Sequence, residues 1–270
     1  MNIQNVKCKI FRYDGRGRPR WETFEIPVAR GMTVLDGLAH LKEHKDSTLA
    51  WRSSCRMGIC GSCGMLINGR PKLACQTQIL EIKAPLVLEP LPNFSVIRDL
   101  VPDLIEMFEK HRRVKPWIIR RDSYELEKPA NEYLQSAEEM EKYFQFSYCI
   151  KCGLCMSACP TLATDARYLG PQPLAQAFRY IADSRDEGFA ERSRPVLSEG
   201  GPWRCHFAGE CSQVCPKHVD PALAVQLMKR EILLRTFRLK KSQPGAPIAP
   251  KIIEARPRPD IPPAPERTVR

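Results

Sequence analysis

No run in this sequence of 270 residues approaches the roughly eighteen or more consecutive apolar residues that a membrane-spanning helix needs, so the chain is not expected to cross a bilayer by itself. A nucleotide-binding glycine fingerprint is also missing, and no nucleophile stands with a base in a plausible constellation. Both absences argue against a chain that itself makes or breaks substrate bonds. The first residues, Met1-Asn2-Ile3-Gln4-Asn5-Val6-Lys7, contain no apolar core of a secretory signal, and no Arg- and Ser-rich transit segment is present. A reducing, bacterial cytoplasmic context is therefore expected. Nucleic-acid-binding motifs are absent too. The net charge of +11 comes from 42 Lys and Arg interleaved with 31 Asp and Glu. It is read as a solvated basic surface, or as attraction to an acidic partner subunit or an anionic membrane surface, and nucleic acid is not expected as a partner.

Cysteine is abundant: 12 residues, of which all but Cys8 stand in metal-cluster spacing. The central stretch, Cys149-Ile150-Lys151-Cys152-Gly153-Leu154-Cys155-Met156-Ser157-Ala158-Cys159-Pro160, has the C-x2-C-x2-C-x3-C-P spacing of bacterial ferredoxins. In such a run three thiolates hold one cluster and the fourth serves a second. The complementary set is Cys205, Cys211 and Cys215-Pro216. A full second run would need a cysteine at 208, where Ala208 stands. The spacing thus predicts a [4Fe–4S] cluster on Cys149, Cys152, Cys155 and Cys215, and a [3Fe–4S] cluster on Cys159, Cys205 and Cys211. Structural zinc is the alternative, but zinc takes four ligands from two separated pairs rather than a compact run ending in proline.

Upstream, Cys55, Cys60 and Cys63 with the distal Cys75 have plant-type [2Fe–2S] spacing. Gly58, Gly61 and Gly64 are expected to let the backbone wrap closely and aim N–H groups at sulfur. Alternation over 5–13 and 22–28 predicts a hairpin with Cys8 on its apolar side. Thr33 predicts a capped helix, Asn68-Gly69 a second hairpin returning Cys75 to the loop, and Leu86–Leu88 a further strand. The fold class is α+β: an N-terminal β-grasp ferredoxin domain over 1–105, an all-α bacterial-ferredoxin-like domain over 106–239, and a Pro/Arg-rich tail over 240–270. An apolar stripe of Val96, Leu100, Leu104, Ile105 and Phe108 predicts a helix at the junction. Ser136 with Glu139 is a capping box for a helix running toward Phe146, Pro171 and Pro173 precede another, and Asp220-Pro221 opens the last.

The order C-x4-C-x2-C…C, C-x2-C-x2-C-x3-C-P, C-x5-C-x3-C-P, with Gly170-Pro171 and Ser184-Arg185-Asp186, resembles the iron–sulfur subunit of succinate dehydrogenase and fumarate reductase over about residues 5–238. The resemblance implies a flavoprotein partner with covalent FAD, membrane anchor subunits that in some members hold haem b, and transfer between FAD and quinone through the three clusters. It places the complex on the cytoplasmic face of the bacterial inner membrane. It also implies a quinone pocket at Pro160, His206 and Lys229, with Thr161, Phe207, Trp203 and Gln226 nearby. Leu162-Ala163-Thr164 replaces the Trp found in many ubiquinone-reducing members, which points toward the menaquinone-using branch. A free-standing multi-cluster carrier and the iron–sulfur arm of another flavin oxidoreductase, such as a thiol-dependent fumarate reductase, are the competing readings.

Overall fold

Alternating apolar residues give strand β1 (Gln4–Arg12) one inward face, and Phe24, Ile26 and Val28 do the same for β2 (Arg20–Val28). The computed structural model, which describes residues 3–122, 127–128, 132–237 and 239, pairs them antiparallel with Val6 opposite Ile26 and Cys8 opposite Phe24. The stretch expected as a tail lies outside these residues. Asn68 and Gly69, both at positive φ, turn β3 (Gly64–Ile67) into β4 (Arg70–Leu73). β5 (Leu86–Glu89) runs parallel to β1 and antiparallel to β3, so the sheet order is β2-β1-β5-β3-β4.

Helix α1 (Val34–His44) starts at a capping box between Thr33 and Asp36 and packs Leu38 and Leu41 into the sheet core. Each such leucine contributes about 1.5–3 kcal/mol on burial, so a charge at Leu41 would open this half. Cys8 is fully buried in the same core, as the alternation predicts. Arg12, also buried, ties the end of β1 to β2 and to two loops further along the chain. It donates to Asp99 at 3.1 Å, to Glu22 at 2.6 Å and to Thr48 at 2.9 Å, and it pairs with Asp46.

The rest of the described chain is helical apart from one small hairpin. α2 (Ile105–Arg113) is followed by α3 (Ala137–Glu141), α4 (Phe144–Ser147), α5 (Leu154–Ser157) and α6 (Pro160–Thr164). Then come α7 (Pro171–Ile181), α8 (Phe189–Val196), α9 (Glu210–Gln213) and α10 (Pro221–Thr236). α7 packs on α10 through Leu174, Phe178, Val225 and Met228, and Phe146 meets Phe178 edge-on at 5.4 Å. Asp220 caps α10 by accepting from the Leu223 N–H at 2.9 Å. Among the described residues no helix is long and apolar enough to cross a membrane.

Three expectations are corrected. The stripe from Val96 is not one helix. Val96–Arg98 (β6) and Val101–Pro102 (β7) form a small hairpin with Asp99 at positive φ, and helix begins only at Ile105. There Ile105 and Phe108 face outward, and Met107, Lys110 and His111 form the buried side. The capped helix from Ser136 stops at Glu141 and restarts at Phe144. Pro171 and Pro173 lie inside the first turn of α7, where the missing N–H groups would have no helical partner.

Candidate metal centres

The loop between α1 and β3 carries three thiols. The N–H groups of Ile59 and Cys60 each donate to Cys55 Sγ at 3.2 Å, and the Cys55 N–H donates to Cys60 Sγ at 3.5 Å. The β3–β4 hairpin then returns the chain so that the Ala74 N–H meets the Cys63 carbonyl at 3.1 Å, which puts Cys75 beside Cys63. The Ser62 hydroxyl, then the backbone N–H groups of Cys55 and Ser62, pull the Cys60 thiol down to about 6. Burial pushes Cys63 up to about 11.

In the second half, cysteines rim two cavities among the described residues. One is rimmed by Cys149, Cys152, Cys155 and Cys215, together with Gln172, Ala175, Val219 and Pro221. The other is rimmed by Cys159, Cys205 and Cys211, together with Ala208, Tyr168 and Val225. Each run therefore sends its last cysteine to the cavity of the other. Thiols rimming a cavity in sets of four and three are the donor arrangement that a polynuclear group fits. Burial pushes Cys152 up to about 12 and Cys211 up to about 11. Bound iron supplies the positive charge that holds such thiols as thiolates, and iron–sulfur clusters so held take up and release single electrons.

The two runs share one backbone conformation. Lys151 and Gly153 have φ of 55° and 82°, and Phe207 and Gly209 have 59° and 78°. Each glycine caps a short helix, α5 or α9, whose second residue is Cys155 or Cys211. Ala208 occupies the turn position that Cys152 holds in the first run.

Of the residues implied for a quinone pocket, Pro160, Thr161, His206 and Phe207 line the Cys159–Cys205–Cys211 cavity. Lys229 does not. Its Nζ donates to the Cys205 carbonyl at 3.2 Å and lies 5.7 Å from the Trp203 ring centre. Gln226 is partly buried, and its Nε2 has no partner among the described residues. Several residues that local pattern does not reveal stand near the thiols. Tyr168 is 1% exposed with its hydroxyl beside the Cys205 sulfur. The Asn93 amide donates to the carbonyls of Met156, Ser157 and Cys159, each at 3.0 Å, and so holds α5 and the crossing cysteine in place. Arg192 is fully buried, pairs with Asp186 through two nitrogens, and reaches the carbonyls of Lys115 and Trp117. That pairing accounts for the aspartate in Ser184-Arg185-Asp186. Nothing in the sequence around these residues marks them, and Arg192 stands among Glu191, Ser193 and Arg194 like any surface arginine.

Residues 7–109 match the family model of the 2Fe-2S iron-sulfur cluster binding domain, and residues 145–219 match that of the 4Fe-4S dicluster domain. The chain is 47% identical over 242 residues to the fumarate reductase iron-sulfur subunit of Mycobacterium tuberculosis, covering 88% of this chain and 96% of that one. It is 42% identical over 231 residues to the subunit of that name from Escherichia coli, covering 85% and 93%. Its structure is similar to a chain of the Mycobacterium smegmatis Sdh1 complex in the apo form, with a TM-score of 0.75, 28% identity and coverage of 87% and 98%. With two cluster-binding domains in this order, and such similarity over most of its length, the chain belongs to the iron–sulfur subunits of the fumarate reductase and succinate dehydrogenase family.

Proposed function

We infer that this chain is the electron-transfer subunit of a succinate:quinone oxidoreductase. On this reading it holds [2Fe–2S] on Cys55, Cys60, Cys63 and Cys75, [4Fe–4S] on Cys149, Cys152, Cys155 and Cys215, and [3Fe–4S] on Cys159, Cys205 and Cys211. The observation that carries the assignment is the repeated turn, in which Ala208 presents a methyl group where Cys152 presents a thiol. A cavity with three thiols and that methyl suits a three-iron centre. Electrons then pass between the FAD of a flavoprotein partner and membrane quinone through the three centres in chain order, and the dicarboxylate site belongs to the partner.

Two surfaces support this placement. Around the first cysteine loop, Met57 is 70% exposed and Ile59 55%, with Arg52 and Arg56 beside them, a face suited to a flavoprotein. Beside the third set Trp203 and Phe207 are exposed, and Leu233, Phe237 and Leu239 are exposed toward the end of α10, apolar surface suited to membrane anchor subunits, with or without haem b. Pro160 and His206 at the cavity mouth are the quinone-facing candidates. Lys229 braces the Cys205 carbonyl behind them. Menaquinone is the quinone this reading favours, and the cytoplasmic face of the bacterial inner membrane is the location.

The test is to purify the chain with its partners and record low-temperature EPR of the oxidised complex. The isotropic signal of a three-iron centre is expected, with iron and sulfide enough for three centres. Zinc in place of iron, or no three-iron signal, would refute the assignment. A chain that purifies soluble and alone would favour the free-standing carrier.

A further inference from the structure

Helix α7 begins between the two cavities. Pro171 lines the one with Cys159, Cys205 and Cys211, and the next residue, Gln172, lines the one with Cys149, Cys152, Cys155 and Cys215. Gln172 is 2% exposed, and its neighbour His111, on α2, is 8% exposed. The Gln172 Nε2 stands 3.1 Å from His111 Nδ1. Its Oε1 is buried with no partner among the described residues.

An amide with half of its hydrogen-bonding capacity unmet is a poor packing choice. A methionine or leucine would fill this space without burying an orphan carbonyl. What the amide can do, and they cannot, is donate. One N–H is directed at the imidazole, and the amide lines the same cavity as the Cys149 thiol. His111 can accept at Nδ1 only when it is neutral. Burial first, and the Lys151 charge second, pull its pKa down to about 4, so the ring is unprotonated at neutral pH.

We propose that His111 is a positioning residue that fixes the Gln172 amide, so that its second N–H donates to the Cys149 thiolate and holds the potential of the [4Fe–4S] centre up. The inference rests on Cys149 being a ligand of that centre. The sign comes from charge. Reduction adds an electron to the cluster and its thiolates, a donated hydrogen bond then becomes stronger, and the reduced state is favoured.

The test is a potentiometric EPR titration of the whole complex, purified with its partner subunits, for Gln172→Leu, Gln172→Met, His111→Phe and Gln172→Leu/His111→Phe. Gln172→Leu is expected to lower the [4Fe–4S] midpoint by a threefold to tenfold change in the reduction equilibrium, tenfold being about 59 mV for one electron. The three-iron midpoint and the iron content should stay put. His111→Phe should shift the same midpoint in the same direction, and the double variant should go no further than Gln172→Leu. An unmoved midpoint with full iron, or additive shifts, would overturn the proposal. Loss of the centre in both the Leu and Met variants would overturn it too, because the amide would then be needed for assembly rather than tuning. Cys149→Ser separates the two layers of inference: if it leaves the [4Fe–4S] signal unaltered, the ligand assignment has failed.

Discussion

Gly61 lies against Cys152 so closely that a Cβ built on it would stand 2.7 Å from the Cys152 Cβ and 2.9 Å from its Cα. A loop of the first cysteine set thus touches the Cys152 turn of the second through bare backbone. Gly61 also has φ of +75°, where a side chain costs about 1–2 kcal/mol. Gly61→Ala is expected to push the two loops apart and to lower stability by roughly 2 kcal/mol from strain and overpacking. Electron hand-over between the first two centres should slow. Freeze-quench EPR of the reduced complex checks this, with iron content as the control.

Ala208→Cys restores a thiol in the repeated turn. It should convert the three-iron centre toward four irons and diminish the isotropic signal in oxidised EPR, and the centre's potential should fall. An unaltered signal with full occupancy would mean that Ala208 does not face the iron.

Tyr168→Phe removes a hydroxyl beside the Cys205 sulfur without changing the ring that fills the core. One hydrogen bond that favours the reduced state by about 1 kcal/mol corresponds to roughly 40 mV. The three-iron midpoint should fall by about that much while the [4Fe–4S] midpoint holds.

Arg192→Met breaks the buried pair with Asp186 and frees the carbonyls of Lys115 and Trp117. An uncompensated buried carboxylate costs about 3–5 kcal/mol, so a large drop in the unfolding midpoint is expected. Adding Asp186→Asn should recover part of it.

His111 sets an acid limit. Its pKa is about 4 in the fold, against the ordinary 6.5, because of burial and then the Lys151 charge. The unfolded chain takes the proton first, so its contribution to stability is whole above about pH 6.5 and is lost progressively as pH falls toward 4. The loss approaches about 3 kcal/mol, at about 1.4 kcal/mol per pKa unit. Thermal melts from pH 7.5 to 4 should steepen below 6.5, and His111→Phe should flatten that limb.

The cysteine runs and both hairpins were legible because their information is local: a spacing, an alternation, an Asn-Gly turn. Ala208 could be read as a gap because the other run supplies its template. The stripe from Val96 to Phe108 misled because Leu100 and Leu104 are apolar at helical spacing, while Asp99 breaks the chain there to serve Arg12. Gln172 with His111, Gly61 with Cys152, and Asn93 with the carbonyls around α5 are pairings between distant parts of the chain. Taken alone, Gln172, His111 and Asn93 are ordinary polar residues and Gly61 is one glycine among several.

Leu154 comes two residues after Cys152, yet its side chain is fully buried in the core under the five-stranded sheet. One leucine therefore anchors the second cysteine run inside the first half of the molecule. Side-chain packing, and not the linking chain alone, therefore joins the two halves. The separation of the first cysteine set from the second is thus written into a packed core and a bare glycine contact.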